Sequence, residues 1–197
     1  MFNDTSSLLA YLESRRSTRP RDLVAPGPDA GQLRRILAVA MRTPDHGKLH
    51  PWRFVHVAPG RREAFADLLE RAWRAENPDP REAHVEAARR FAHQAPTLVV
   101  ALSRPQPGHK IPVWEQELSC GAACMNLLHA AAALGFCGGW VTGWAAYSPI
   151  VRDAFGGPGE RIAGFLFLGT SGAPLAERAR PAIDDVVQQW DAPATFP

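Results

Sequence analysis

Within five residues, Arg15-Arg16-Ser17-Thr18-Arg19 sets three guanidiniums beside two hydroxyls. Such a group can grip a phosphate monoester through charge-assisted hydrogen bonds, because guanidinium presents two parallel donors to phosphate oxygens. A solvated basic helix end has the same composition and suits the helix macrodipole. A second basic pair, Arg178 and Arg180, stands in Glu177-Arg178-Ala179-Arg180-Pro181, which also reads as a polar loop. Taken singly, neither segment decides between anion binding and solvation.

Two further stretches carry polar groups around glycine. Arg42-Thr43-Pro44-Asp45-His46-Gly47-Lys48-Leu49-His50-Pro51-Trp52 joins a helix end to a strand and is equally consistent with an ordinary turn. His46 and His50 are four apart, but Gly47 and Pro51 oppose the helix that would align them, and no third metal ligand is near. Leu134 to Gly143 brackets a short strand with glycines, which lets a flat ligand approach the backbone closely and equally suits a tight helix-to-strand turn. It lacks the GxGxxG spacing of a dinucleotide site. Cys120, Cys124 and Cys137 are too few and too irregular for a disulfide framework and read as structural.

Composition narrows the class. The chain has 197 residues, 46% hydrophobic and 21% charged, with a net charge of +2. That balance suits one globular domain over 1–197 and argues against nucleic-acid or membrane partners. Only Lys48 and Lys110 are lysines; arginine supplies the other cations. No signal segment or long apolar run is visible, so a cytoplasmic protein is expected.

The positioning elements follow from periodicity. Asp4 or Thr5 is expected to cap a helix burying Leu8, Leu9 and Leu12, with Pro20 stopping it. Asp29 should cap a second helix with Leu33, Ile36, Leu37 and Ala40 inward. Trp52–Val57, Thr97–Leu102, Gly138–Thr142 and Ile162–Leu168 read as strands, the second as a buried central one. Residues 60–76 and 80–93 read as amphipathic helices. Pro112 opens a long, small-residue helix to about Leu134, and Ser148-Pro149 opens a short one closed by Gly156. Residues 170–197 form a tail with an apolar patch at Val186, Val187 and Trp190, expected to pack on another surface. The fold class is α+β, a sheet sandwiched by helices.

The order of these motifs resembles the nitroreductase family. Arg-Arg-Ser-x-Arg comes first, then Pro-x-His-Gly-x-x-x-Pro-Trp, Ala-x-x-Leu-Gly-x-x-x-x-Trp and Gly-x-Leu-x-Leu-Gly-Thr. The likeness runs from about Leu8 to Val187 and is greatest to the short bacterial NAD(P)H nitroreductases. It implies the FMN-dependent nitroreductase fold, a mostly antiparallel sheet in an intertwined homodimer, with two FMN sites built from both chains. By that resemblance Arg15 and Ser17 hold the FMN phosphate, Arg16 adds backbone or side-chain contacts beside them, and Arg19 lies near the pyrimidine edge. Arg42, Asp45, His46 and Lys48 reach over from the partner. Trp140, Val141, Thr142 and Gly143 follow the isoalloxazine, and Arg178 and Arg180 complete the phosphate site. Lys48, His50 and Val141 depart from the usual residues. NADH or NADPH would donate hydride and a small organic molecule would accept it, in alternation. The flavin carries the redox chemistry, so no catalytic side chain and no metal is expected. A flavin carrier without turnover, or a module binding some other phosphate, is compatible with the same residues.

Overall fold

The computed structural model of the chain describes residues 2–190. Five strands alternate with eight helices among them: α1 (Leu8–Ser14), β1 (Leu23–Val24), α2 (Ala30–Ala40), β2 (Trp52–Val57), α3 (Arg62–Glu76), α4 (Glu82–Phe91), β3 (Thr97–Ser103), α5 (Val113–Ala133), β4 (Cys137–Val141), α6 (Trp144–Tyr147), α7 (Pro149–Phe155), β5 (Arg161–Ser171) and α8 (Ile183–Val186).

Every strand pairing is antiparallel, in the order β1-β5-β3-β2. β4 also pairs with β5, over Val141↔Phe165 to Cys137↔Gly169, and β1 continues along that strand at Thr170 and Ser171. The result is an α+β architecture, an antiparallel sheet between helices, as expected from the sequence.

Two apolar layers enclose the sheet. Successive strand side chains point to opposite faces, so Leu98, Val100 and Leu102 of β3 join Phe165 and Phe167 on one side. Val99 and Ala101 join Leu166 and Leu168 on the other. The first face is covered by α3, α4, α6 and α7, the second by α2 and α5. Burial on both faces is why β3 and β5 read as nearly unbroken apolar runs.

Several local signals hold. Asp29 caps α2 through a reciprocal box with Gln32, and Ser148 caps α7 with Pro149 behind it. Others need correction. The cap of α1 is Ser7, not Asp4 or Thr5. Its apolar face is open: Leu8, Leu9 and Leu12 are 76%, 65% and 49% exposed, and Tyr11 is the buried residue instead. Helical spacing makes the stripe, but among the described residues no element covers it. β1 was not anticipated, because a two-residue strand has no periodicity and exists only through its pairing with β5. Nor was α6, a single turn. Of the expected tail, residues 191–197 lie outside the described residues; Ile183, Val186, Val187 and Trp190 are exposed.

One charge is built into the core. Arg62, 5% exposed, donates from Nε to Val57 O and from its two amino groups to Ala92 O and Pro96 O, at 2.7–3.2 Å. Its burial lowers the guanidinium to about 10, so it stays charged at neutral pH.

Candidate functional site

The arginine segment begins where α1 ends. The chain before α1 doubles back onto that end: Asn3 N donates to Ser14 O and Arg16 N donates to Asn3 Oδ1. The Ser14 hydroxyl accepts from Asp4 N and donates to Ala10 O. Residues 15–19 then run extended beside β4, where Thr18 N donates to Gly138 O at 3.0 Å. Gly139 makes this approach possible, since a Cβ there would sit 2.5 Å from the Thr18 carbonyl oxygen. Thr18 is buried in the process, and its hydroxyl has no hydrogen-bond partner among the described residues.

The tail reaches the same place. Arg16 Nε donates to Ala176 O at 2.8 Å, and Glu177 lies 3.9 Å from it. Arg178 and Arg180 follow directly, both exposed. Arg15 leans on Ser17, its Nη1 3.4 Å from the hydroxyl. Among the described residues, Arg15, Arg19, Arg178 and Arg180 form no ion pair, whereas Arg53, Arg74, Arg89 and Arg161 all do. These four cations, unpaired by carboxylates, remain available to an anion.

Under α1 lie two further titratable groups. The Tyr11 hydroxyl and His129 Nδ1 are 3.3 Å apart. Burial raises the Tyr11 phenol and lowers the His129 imidazole, and the charge of Arg15 lowers both. A neutral imidazole is therefore favoured beside the basic segment.

Beyond β4 the backbone opens. Trp140 lies across Gly164, its indole Nε1 donating to Ala163 O at 3.0 Å. Val141 is half-buried, and Thr142 and Gly143 are exposed. Gly143 has φ of 73°, a conformation glycine adopts without strain.

The 42–50 loop is held elsewhere, along α5. Asn126 Nδ2 donates to Arg42 O and to the Thr43 hydroxyl. The Ser119 hydroxyl donates to Pro44 O and accepts from Trp52 Nε1. His46 Nδ1 is 2.7 Å from Glu115 Oε2. The Asp45 carboxylate accepts from Leu49 N and His50 N, folding a turn in which Gly47, Lys48 and His50 all have positive φ. Lys48 and His50 are uncommon there. Sequence reasoning did not single out Glu115, Ser119 or Asn126; polar residues on an otherwise Ala- and Cys-rich helix were the available signal.

The structure thus joins Thr18 to Gly138 and Gly139, and Arg16 to Ala176 and Glu177, and holds the 42–50 loop along α5. Among the described residues, no hydrogen bond links that loop to the arginine segment. No group of three or more metal-ligating side chains occurs among them. Cys120 and Cys124 are buried and Cys137 partly so.

The nitroreductase family model matches residues 12–170. The Escherichia coli K12 protein named "Putative NAD(P)H nitroreductase YdjA" is 39% identical over 163 residues, covering 82% of this chain and 87% of the relative. Among solved structures, a nitroreductase-like family protein from Bacillus cereus superposes with a TM-score of 0.80 at 19% identity, covering 95% and 97% of the two chains. A nitroreductase with bound FMN from Bacteroides fragilis gives 0.68 at 24% identity, covering 94% and 100%. With its match to the family model spanning most of the fold just described, the chain belongs to the nitroreductase family.

Proposed function

We propose that the chain is an FMN-dependent NAD(P)H oxidoreductase that works as a homodimer and passes hydride to a small organic acceptor. One observation carries the reading: the 15–19 segment, whose Thr18 lies against Gly138 of β4, is tied through Arg16 to Ala176, two residues before Arg178 in the basic tail. A phosphate of nearly two negative charges needs several oriented donors before it can leave water. Arg15, Ser17, Arg178 and Arg180 would hold it, with Arg16 fixing the tail. Arg19 would set a positive charge near the pyrimidine edge of the ring, and Trp140 to Gly143 would line the ring itself.

Bound FMN would supply the two-electron chemistry. The side chains would bind, orient and exclude water, and none would act as acid, base or nucleophile. The 42–48 loop stands apart within one chain, which fits its serving the partner's site. The open apolar residues fit a shared interface too: Leu8, Leu9 and Leu12 on α1, Val39 and Met41 at the end of α2, and Trp114 and Leu118 on α5. Nicotinamide and acceptor would use the exposed ring face in turn.

An absorbance spectrum tests the reading. Purified protein should be yellow, and anaerobic NADH or NADPH should bleach it. A flavin that neither donor bleaches would make the protein a carrier instead. A colourless protein that FMN cannot reconstitute would end both readings.

A further inference from the structure

Three polar side chains of α5, Glu115, Ser119 and Asn126, are spaced four and seven residues apart, which sets them in a row along one flank of the helix. Each meets the 42–50 loop at a different point. Asn126 Nδ2 donates to Arg42 O at 3.0 Å and to the Thr43 hydroxyl at 2.8 Å. The buried Ser119 hydroxyl donates to Pro44 O at 2.7 Å. His46 Nδ1 lies 2.7 Å from Glu115 Oε2. The far end of the loop is held from a second side. Gln106 Nε2 donates to Leu49 O, Arg104 Nε to His50 O and Arg104 N to Pro51 O. Carbonyl oxygens at both ends of the loop are thus engaged.

Connecting segments are ordinarily mobile. This one is fastened to a helix whose other flank, Cys120, Ala123, Cys124 and Leu127, is buried against the sheet. A rigid element therefore dictates the path of the loop. The loop also keeps two backbone conformations that cost free energy: Lys48 and His50 have φ of 55° and 49°. Such conformations persist only where the surroundings over-determine them, and they gather at binding sites.

We infer that Ser119 and Asn126 are positioning residues for the shared flavin site, an inference that rests on the function proposed above. They fix the 42–44 backbone, and through it the placement of Arg42, Asp45, His46 and Lys48, before any ligand arrives. A loop ordered in advance spares the ligand the cost of ordering it. The clamp itself belongs to one chain and exists with or without flavin.

Lys48 and Lys110 are the only lysines in the sequence, so a lysine-specific protease cuts in this loop and at one control position. Asn126→Asp keeps the side-chain shape but loses the donor to Arg42 O. In flavin-free protein it should speed cleavage after Lys48 about tenfold and leave cleavage after Lys110 unchanged. Ser119→Ala should act in the same direction from the next point along the row. In protein reconstituted with FMN, Asn126→Asp should weaken FMN binding by a similar factor with sedimentation unchanged. It should also alter the visible circular dichroism of the flavin, which reports how the ring is seated and which a general loss of stability would not move. Equal acceleration of both cuts, acceleration of neither, or a loosened loop with unaltered FMN affinity and dichroism would each overturn the inference. A chain that never takes up FMN would instead sink the function proposed above, and the ratio of the two cuts would still decide whether the clamp exists.

Discussion

Arg16 and Ala176, 160 positions apart, are joined by a 2.8 Å hydrogen bond from the guanidinium Nε to the carbonyl oxygen. That bond holds the start of the basic tail against the basic segment after α1. Arg15→Ala should strip FMN, since a buried phosphate would lose a charged partner worth about 2–5 kcal/mol. The flavin-to-protein absorbance ratio after gel filtration reads the loss, and an unchanged ratio would mean Arg15 is misassigned. Arg16→Ala should act differently. It should free the tail, seen as faster proteolysis beyond residue 176.

The open stripe on α1 makes assembly testable. The protein should sediment as a dimer at micromolar concentration, and Leu12→Asp should shift it toward monomer with loss of bound flavin. A monomer that keeps its full flavin would remove Arg42, Asp45, His46 and Lys48 from the proposed site.

Arg62 carries a stability prediction. Replacing it with Leu preserves bulk but leaves the carbonyls of Val57, Ala92 and Pro96 without their donor. Orphaning partners in a buried charged network costs about 3–5 kcal/mol. Urea unfolding should show a loss of that order, and Arg62→Lys, with a single amino group, should recover only part of it.

The Arg53–Glu160 pair predicts a pH effect. Arg53 donates to both carboxylate oxygens of Glu160, at 3.1 and 2.8 Å. That contact holds the Glu160 carboxyl below the ordinary value of 4.5. The folded state therefore binds its proton less readily than the unfolded chain does. The contribution is complete above about 4.5 and fades as the pH falls through the lower folded value. Arg53 is 36% exposed, so solvent screening reduces it to about 0.5–1 kcal/mol. In Glu160→Gln, thermal midpoints should lose that part of the decline between pH 5 and 3; an unaltered profile would contradict the assignment.

Local signals were legible wherever one chain segment settles its own structure. Asp29 with Gln32 marks the start of α2, and the run from Thr97 marks β3 because both faces of that strand are buried. The exposure of α1 was not legible, because Leu8, Leu9 and Leu12 look the same whether their partner lies in the same chain or another. The meeting of Thr18 with Gly139 was equally hidden: a glycine announces close approach but not what approaches. The proposed flavin residues were found through the order of motifs, while Ser119 and Asn126, which hold the 42–44 backbone on α5, needed coordinates.

β5 spans eleven residues, Arg161–Ser171, and both β4 and β1 take their register from it. The glycine turn and the return of the arginine segment are thus measured off a single ruler. Lengthening the loops between elements leaves that measure untouched, whereas one residue inserted between Phe165 and Thr170 would throw both out of step at once.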